Sequence, residues 1–274
     1  MPIILARYSE IGLKSTPVRV KFENRLRDNM ITMLAADRIE ALVTKKDARF
    51  YIETEEIDAA VQAVRRVFGI SSLSVAEVCS SDMEEICATA AEYSLSRLKE
   101  GESFAVKARR EGNQNYTSVD VGREAGSAIF IANESKGVKV DLTDPDVTFF
   151  VEVRNNKAFI FGSYVKCHGG LPVGTQGKVI AEVQSERDIL SAWLMMKRGC
   201  KIFVKGEKQP LLERYDPEIK YGEEVSTDIL GIIKGTALRE LGDVSVSDFE
   251  VPLFFPTIGM SDDEVSSMLN SIKE

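Results

Sequence analysis

Hydrophobic and polar positions along the first 78 residues alternate between the period of a strand and the period of a helix. The segment IILARY near the N-terminus has the pattern of a strand. Apolar residues then recur at helical spacing, at Val18, Phe22 and Leu26. RIEALVTK and ARFYIET alternate as the two strands of a hairpin, IDAAVQAVRRVFG has the period of a helix, and ISSLSVAEV that of a strand. The predicted order, βαββαβ, is that of a ferredoxin-like domain, here residues 1–78.

A second module is predicted over residues 79–166. It starts with the helix MEEICATAAEYSLSRLK and the strand SFAVKARR, and the helix SVDVGREAGSAIFIANE follows the polar segment EGNQNYTS. Three strands complete the module, KVDLTD, VTFFVEVRN and KAFIFGSYV. Asn155-Asn156 has the composition of a hairpin turn between the last two strands.

The remaining residues divide into a linker, 167–176, and a third domain, 177–274. The linker leads into the strand GKVIAEV, the amphipathic helix DILSAWLMMKRG and the strand KIFVKG. After an acidic polar stretch that runs to about Val225, we expect a helix over STDILGIIKGTALREL and then the apolar segment VPLFFPTIG. The three domains together predict a mixed α/β protein.

Composition narrows the class of protein. With 44% hydrophobic and 28% charged residues, the chain has the composition of a folded, soluble protein. The N-terminus lacks the basic and apolar regions of a signal peptide, and no window approaches the roughly 18 consecutive apolar residues of a membrane helix. We therefore expect a cytoplasmic protein that does not enter a membrane. The four cysteines include no C-x-x-C pair and His168 is the single histidine, so neither a disulfide framework nor a zinc or histidine-based site is expected.

The net charge of −8 disguises an uneven distribution of charged residues. Residues 1–75 carry 12 basic and 10 acidic side chains, whereas residues 167–274 carry 12 and 18. Between Arg7 and Arg27 there are six basic residues and two acidic ones. The acidity lies in the C-terminal part, so any surface that binds an anion must be local and N-terminal.

Two segments concentrate cations. The first, RYSEIGLKSTPVRVKFENRL, has basic residues at the end of a strand and along a helix, namely Arg7, Lys14, Arg19, Lys21 and Arg25. They could contact a phosphate backbone, but on this segment alone a solvated helix face is the better explanation of such a run of charges.

The second segment is KARREGNQNYTSVDVGRE. Lys107, Arg109 and Arg110 end a strand, and Ser118 and Arg123 belong to the start of the next helix. Because a helix N-terminus attracts anions through its free N–H groups, this combination suits a terminal phosphate or a single-stranded end. An ordinary strand end followed by a serine N-cap is an equally good interpretation of the same residues.

Three ordered motifs resemble those of the tRNA 4-thiouridine synthetase (tRNA sulfurtransferase) family. They are RYSEIGLKS, then FAVKARR with TSVDVGREAGSAI, then GGLPVGTQGKV with LMMKRG, and PTIGMSDDEV is similar to the last motif of that family. The resemblance covers essentially the whole chain. It implies an N-terminal ferredoxin-like domain, a THUMP domain and a shortened PP-loop-like α/β domain.

The resemblance also implies a partner and a set of contacts. The first two domains of the family bind tRNA, chiefly its acceptor end, and the PP-loop domain adenylates a uridine with ATP before sulfur is inserted. By this resemblance the THUMP contacts with tRNA would be Lys107, Arg109, Arg110, Ser118 and Arg123. The N-terminal candidates for tRNA binding are Arg7, Lys14, Arg19 and Arg25.

The expected ATP-binding loop departs from the family pattern. The family motif reads Ser-Gly-Gly-x-Asp-Ser, and its glycines let backbone N–H groups approach the pyrophosphate. The corresponding residues here are Gln184, Ser185, Glu186, Arg187 and Asp188. Both glycines are gone, Asp188 is the one weak catalytic candidate, and S-x-x-D has the pattern of a capping box. We therefore expect no cofactor here, with ATP and magnesium bound only if the altered loop still works.

Two functions remain open from the sequence. In the first, the chain is a binding protein that holds the end of a tRNA for a separate modifying enzyme. In the second, it is an ATP-dependent tRNA sulfurtransferase with an atypical loop. A role in thiamine synthesis is implied only by the resemblance, because thiamine synthesis is the second role of that family. A sulfur carrier and a second copy of the chain are further candidate partners.

Overall fold

The six elements predicted for the first 78 residues form in the predicted order. The structure is a computed structural model, which describes residues 2–222, 228–244 and 250–273. The elements are β1 (Ile3–Arg7), α1 (Thr16–Ala36), β2 (Leu42–Lys46), β3 (Arg49–Glu53), α2 (Ile57–Val64) and β4 (Ser72–Ser80). A 3-10 helix, Glu10–Leu13, precedes α1.

The second module also follows its prediction. Its elements are α3 (Met83–Leu95), β5 (Ser103–Glu111), α4 (Ser118–Ala132), β6 (Lys139–Val140), β7 (Val147–Arg154), β8 (Lys157–Phe161) and β9 (Val165–Lys166), with a 3-10 helix at Glu134–Lys136. The predicted hairpin turn between β7 and β8 is confirmed, because Arg154 pairs with Lys157 and Asn155 takes the left-handed conformation at φ +52°.

The C-terminal elements alternate between strands and helices. They are β10 (Lys178–Glu182), α5 (Glu186–Lys197), β11 (Lys201–Lys205), α6 (Pro210–Glu213), β12 (Lys220–Tyr221), β13 (Ile229–Ile233), β14 (Leu253–Phe254) and α7 (Asp262–Lys273). The prediction of a helix over STDILGIIKGTALREL is wrong. Its described residues form β13 and a 3-10 helix, Leu238–Asp243, because ILGII pairs with β10 in the parallel sheet and that pairing outweighs the helical spacing.

The described residues form two units. Unit 1 comprises residues 2–6, 51–57 and 73–165, and unit 2 comprises 7–50, 58–72 and 166–273. In unit 1 the strand order is β3-β1-β4-β8-β7-β5-β6. Strands β5 and β7 are parallel, whereas β8 is antiparallel to both of its neighbours. The core of the second module lies under α3 and α4, where Ile86, Val121 and Ile129 are fully buried with Phe104 and Phe149.

Unit 2 contains a second sheet of five parallel strands in the order β12-β11-β10-β13-β14. Its core surrounds Trp193 of α5, the single tryptophan of the chain, which is 1% exposed. Strand β10 is central, and the direction of strand addition reverses between β10 and β13. In an open α/β sheet, the crevice outside the carboxyl ends of such a strand pair is the usual place for a ligand.

No helix among the described residues is long and apolar enough to span a membrane. The predicted acidic stretch before Val225 lies partly outside the described residues, since residues 223–227 are not among them.

Candidate nucleic-acid interface

Strand β5 presents cations on one of its two faces. Side chains alternate along a strand, and Val106 and Ala108 pack towards the core under α4. Lys107 and Arg109 therefore lie on the opposite face, where both are exposed. We refer to Lys107 and Arg109 as the basic face. Arg123 of α4 is also exposed, but it lies on the other side of the sheet, beside Val106 and Ala108.

A depression of about 370 Å³ in unit 1 adjoins the end of β5. Its polar lining consists of Arg109, Arg110, Glu111, Ser118, Glu152 and Arg154. Three residues of the predicted tRNA-binding set are thus brought together, while Lys107 and Arg123 do not line the depression. Arg154 was missed from the sequence, although pairing VTFFVEVRN in parallel with SFAVKARRE would have placed it beside Glu111.

The charges of this depression partly compensate one another. Arg154 forms an ion pair of 2.6 Å with Glu111 and lies 3.6 Å from the buried carboxylate of Glu152. Arg110 donates to the carbonyl oxygen of Gly112 at 2.6 Å and to the side chain of Gln114 at 3.3 Å. Arg110 therefore holds the polar loop after β5, and Arg109 is the lining arginine most available to a ligand.

The N-terminus of α4 is capped by Thr117, so the serine cap of the alternative interpretation does not form. The Thr117 hydroxyl accepts from the N–H of Asp120, and the Asp120 carboxylate accepts from the N–H of Thr117 at 2.8 Å. That backbone N–H holds the pKa of Asp120 below its usual value. Arg123 also donates to Asp120 at 3.3 Å. Because Asp120 already supplies an anion to this end, phosphate binding here depends on the neighbouring cations.

The N-terminal candidates separate into two pairs. Arg7 is 7% exposed, and Arg25 donates from Nε to the carbonyl oxygen of Val173 at 2.8 Å, so it holds the linker. Lys14 is exposed and Arg19 is half-buried. Only this second pair keeps its charge accessible in the way that an RNA contact requires.

Part of the RYSEIGLKS motif has a structural role in unit 2. Tyr8 donates a hydrogen bond to the buried Glu23, which also accepts from Lys45 at 2.5 Å. Burial alone would raise the pKa of Glu23, but the bonds from Lys45 and Tyr8 bring it below its usual value. This network fastens the segment after β1 to α1, and the sequence contained no signal for it apart from the motif.

The junction of β10 and α5 contains the capping box that the sequence predicts. The Ser185 hydroxyl accepts from the N–H of Asp188. The Asp188 carboxylate accepts from the backbone N–H groups of Ser185 at 2.9 Å and Gln184 at 3.2 Å. Its other oxygen accepts from the N–H of Gly235 at 2.8 Å. A single carboxylate therefore occupies three backbone donors at the switch point of the sheet.

The loop after β13 presses against the same helix end. A Cβ at Gly235 would lie 2.5 Å from the backbone nitrogen and from a carboxylate oxygen of Asp188. At the carboxyl end of β10, Glu182 forms ion pairs with Lys234 and, at 3.6 Å, with Lys205. The hydrogen bond from Lys234 lowers the pKa of Glu182. The lysines of the crevice are thus paired with a carboxylate of the chain.

Arg187 points away from the crevice. It is 8% exposed, and its guanidinium donates to the carbonyl oxygens of Thr257 at 2.9 Å and Met260 at 3.0 Å. It also forms an ion pair of 2.7 Å with Asp262, whose pKa it lowers. Arg187 therefore joins α5 to the segment PTIGMSDD. Glu186 is exposed and lies 3.4 Å from Lys273.

Burial shifts the pKa values of two further side chains, Cys200 and His168. Burial raises the pKa of the thiol of Cys200, which is 5% exposed. His168 packs edge-on against Trp193 and Tyr215, and burial lowers its pKa to about 4. Among the described residues, no group of three or more histidine, cysteine or acidic side chains could hold a metal ion.

Comparison with known domains matches both N-terminal modules. The ThiI ferredoxin-like domain matches residues 3–74, and the THUMP domain matches residues 80–162. The predicted fold class is confirmed for these two domains and for the mixed α/β architecture.

Curated relatives match over most of this chain but over only part of their own length. The probable tRNA sulfurtransferase of Methanosarcina acetivorans is 42% identical over 204 residues, which are 73% of this chain and 49% of the relative. The probable tRNA sulfurtransferase of Methanocaldococcus jannaschii is 34% identical over 239 residues, 80% of this chain and 62% of the relative. The chain therefore spans about half to three-fifths of the length of these relatives.

Two solved structures share the fold. The protein PH1313 from Pyrococcus horikoshii Ot3 is 27% identical with a TM-score of 0.83, and the match covers 100% of both chains. A 4-thiouridine synthetase in a complex with RNA and bound ATP is 22% identical with a TM-score of 0.80, over 99% of this chain and 85% of that one.

These observations define a protein in which a ferredoxin-like domain is followed by a THUMP domain and a parallel α/β domain. The chain contains the ThiI ferredoxin-like and THUMP domains, and it is similar to the tRNA sulfurtransferases over 73–80% of its own length. The resemblance seen in its three ordered motifs is confirmed.

Proposed function

We propose that this chain is a tRNA-binding protein that does not use ATP at the junction of β10 and α5. The observation that carries the RNA-binding part is the placement of Arg109, Arg110 and Ser118 around one depression in unit 1. The relatives named tRNA sulfurtransferases and the match to the THUMP domain support tRNA as the RNA.

The basic face supplies the phosphate contacts. Lys107 and Arg109 are exposed, and such side chains bind nucleic acid by neutralising phosphates and releasing counterions. Most of these contacts carry no information on sequence. This is consistent with a protein that recognises the shape and the end of a tRNA. Lys14, Arg19 and Arg123 are candidates for further contacts.

The junction geometry supports the second part of the proposal. ATP bound at a PP-loop needs backbone N–H groups that are free to meet its phosphates. Here the carboxylate of Asp188 accepts from Ser185, Gln184 and Gly235. A phosphate at this place would compete with a fixed negative charge, so these residues do not fit the triphosphate.

The chain would then hold the tRNA for a separate modifying enzyme. The alternative, an ATP-dependent tRNA sulfurtransferase, is favoured by one observation, the retained parallel sheet with its switch point beside β10. It requires that the loop containing Gly235 withdraws and that Asp188 releases three N–H groups. Binding measurements separate the two functions.

The test of RNA binding is a tRNA titration at several salt concentrations. We expect Lys107→Ala/Arg109→Ala to weaken binding about tenfold or more. The slope of log affinity against log salt should become shallower by roughly 0.7 to 0.9 for each phosphate that the variant no longer neutralises. Lys99→Ala/Lys139→Ala removes the same charge from exposed positions of unit 1 and should leave binding unchanged. Equal effects of the two double variants would refute the basic face.

The test of the junction is an equilibrium binding measurement with Mg-ATP, made on protein that binds tRNA in a parallel sample. We expect no saturable binding at millimolar nucleotide. Stoichiometric, saturable binding that Asp188→Ala alters would show that the crevice still receives the nucleotide. The second function would then replace the first.

A further inference from the structure

Unit 2 has a second depression, of about 530 Å³, beside the C-terminal half of α5. Its lining includes Glu10, Lys197, Arg198, Phe254, Phe255 and Pro256. A volume of this size lies in the usual range of ligand sites, roughly 300–1,000 Å³. It belongs to a different end of α5 from the Ser185 cap, because the twelve residues of that helix extend about 18 Å.

One wall of this depression is aromatic and held in place. A Cβ at Gly231 would lie 2.5 Å from the ring of Phe254, so that ring rests directly on the backbone of β13. Phe255 and Pro256 continue the wall and are half-buried. Within the described part of the chain, neither phenylalanine has an aromatic partner. Phe254 packs against Gly231 and the core of unit 2, whereas Phe255 lines the depression and is the ring that we consider for stacking.

The lining also contains two cations, Lys197 and Arg198. Neither forms an ion pair or a side-chain hydrogen bond within residues 2–222, 228–244 and 250–273. The ammonium group of Lys197 lies 5.7 Å from the centre of the Trp193 ring. Arg187 and Lys234, in contrast, are each paired with a carboxylate of unit 2.

Both cations lie at the C-terminal end of α5, where positive charge offsets the helix dipole. That role requires no aromatic wall in the same depression. The combination of a stacking surface with unpaired cations is the arrangement by which proteins hold single-stranded nucleic acid.

We infer that this depression is a binding pocket for an unpaired nucleotide of an RNA strand. The base stacks on Phe255, and the phosphate lies against Lys197 and Arg198. Glu10, the acidic member of the lining, accepts hydrogen bonds from a ribose hydroxyl or a base amino group. The pocket goes beyond the proposed function, because it assigns an RNA contact to the parallel α/β part of unit 2, at residues other than the basic face, Lys14, Arg19 and Arg123.

The experiment uses the full chain and a fluorescein-labelled single-stranded RNA of eight nucleotides that contains 5-bromouridine. Binding is followed by fluorescence anisotropy for the wild type, Phe255→Leu and Arg198→Ala. The control, Lys208→Ala, removes an exposed charge from unit 2 outside the pocket. We expect Phe255→Leu and Arg198→Ala each to weaken binding at least about fivefold. The control should be unchanged.

Photo-crosslinking of the same RNA locates the site. We expect the peptide containing Phe255 to be crosslinked in the wild type and the yield to fall in Arg198→Ala. Cross-links confined to residues 103–123, or Arg198→Ala binding like Lys208→Ala, would overturn the pocket, and protein docking would then be the better explanation of its aromatic wall. Failure of the proposed function is seen separately, as tRNA binding that Lys107→Ala/Arg109→Ala does not change.

Discussion

The N-terminal ends of α4 and α5 have the same local structure and different surroundings. In each, a hydroxyl residue caps the helix and an aspartate three residues later returns a hydrogen bond. The pairs are Thr117 with Asp120 and Ser185 with Asp188. From the helix start alone, the two ends would be expected to behave alike towards an anion.

The two helix ends differ in what the second carboxylate oxygen of the aspartate contacts. In α4 it faces the exposed guanidinium of Arg123 at 3.3 Å. In α5 it accepts from the backbone of Gly235, and the neighbouring arginine, Arg187, is buried against other segments. Tertiary neighbours, and not the capping motif, therefore decide whether a helix end contributes to an anion site.

The largest expected difference in stability is between a variant of Arg187 and a variant of Arg123. Arg187→Ala should lower the free energy of unfolding by about 2–4 kcal/mol, because it leaves two carbonyl oxygens and Asp262 without a buried donor. Arg123→Ala should change it by less than about 0.5 kcal/mol, since the side chain is 68% exposed. Denaturant unfolding measured by Trp193 fluorescence and by circular dichroism gives both values.

For tRNA binding, Arg123→Ala should have the larger effect and Arg187→Ala the smaller one. Arg123→Ala should weaken it, and Arg187→Ala should not, once the fraction of folded protein is accounted for. Arg187→Lys is the matched control for charge. A lysine cannot reach the three acceptors as a planar fork does, so it should restore little stability. Full restoration by lysine would mean that only the charge matters.

A second difference concerns the closed end of α5. Gly235→Ala should destabilise unit 2 by about 1–3 kcal/mol, because the added Cβ would meet the backbone of Asp188. Gly242→Ala is the control, since a Cβ there meets nothing within 4 Å, and its effect should stay within about 0.5 kcal/mol. If the two variants unfold at the same denaturant concentration, the loop does not press on the helix end.

The elements with long periodic patterns were predictable from the sequence. The helical spacing in α1 placed Phe22 and Leu26 in the core, although Val18 is 39% exposed. The pattern S-x-x-D predicted the α5 cap correctly. The segment that became β13 could not be assigned, because ILGII is apolar enough for a helix or a buried strand and its pairing with β10 is a tertiary fact.

The candidate sites were predictable only in part, for the same reason. Lys107 and Arg109 could be found because they alternate with apolar residues of one strand. The burial of Arg7 and the hydrogen bond from Arg25 to Val173 could not be predicted, because both depend on distant segments. Gly235 closes the end of α5 from 47 residues away, and no local pattern indicates such an interaction.

The smallest expected effect compares the two caps directly. Ser185→Ala and Thr117→Ala should each destabilise the protein by about 0.5–2 kcal/mol, the usual cost of removing an N-cap. Trp193 fluorescence measures the unfolding of Ser185→Ala, and circular dichroism measures that of Thr117→Ala. Thr117→Ala should leave tRNA affinity nearly unchanged, because exposed cations carry the phosphate contacts there and the N–H of Thr117 is already bonded to Asp120. A large drop in tRNA affinity without a drop in folded protein would show that the end of α4 binds phosphate through its backbone, and the two helix ends would then differ more than their surroundings indicate.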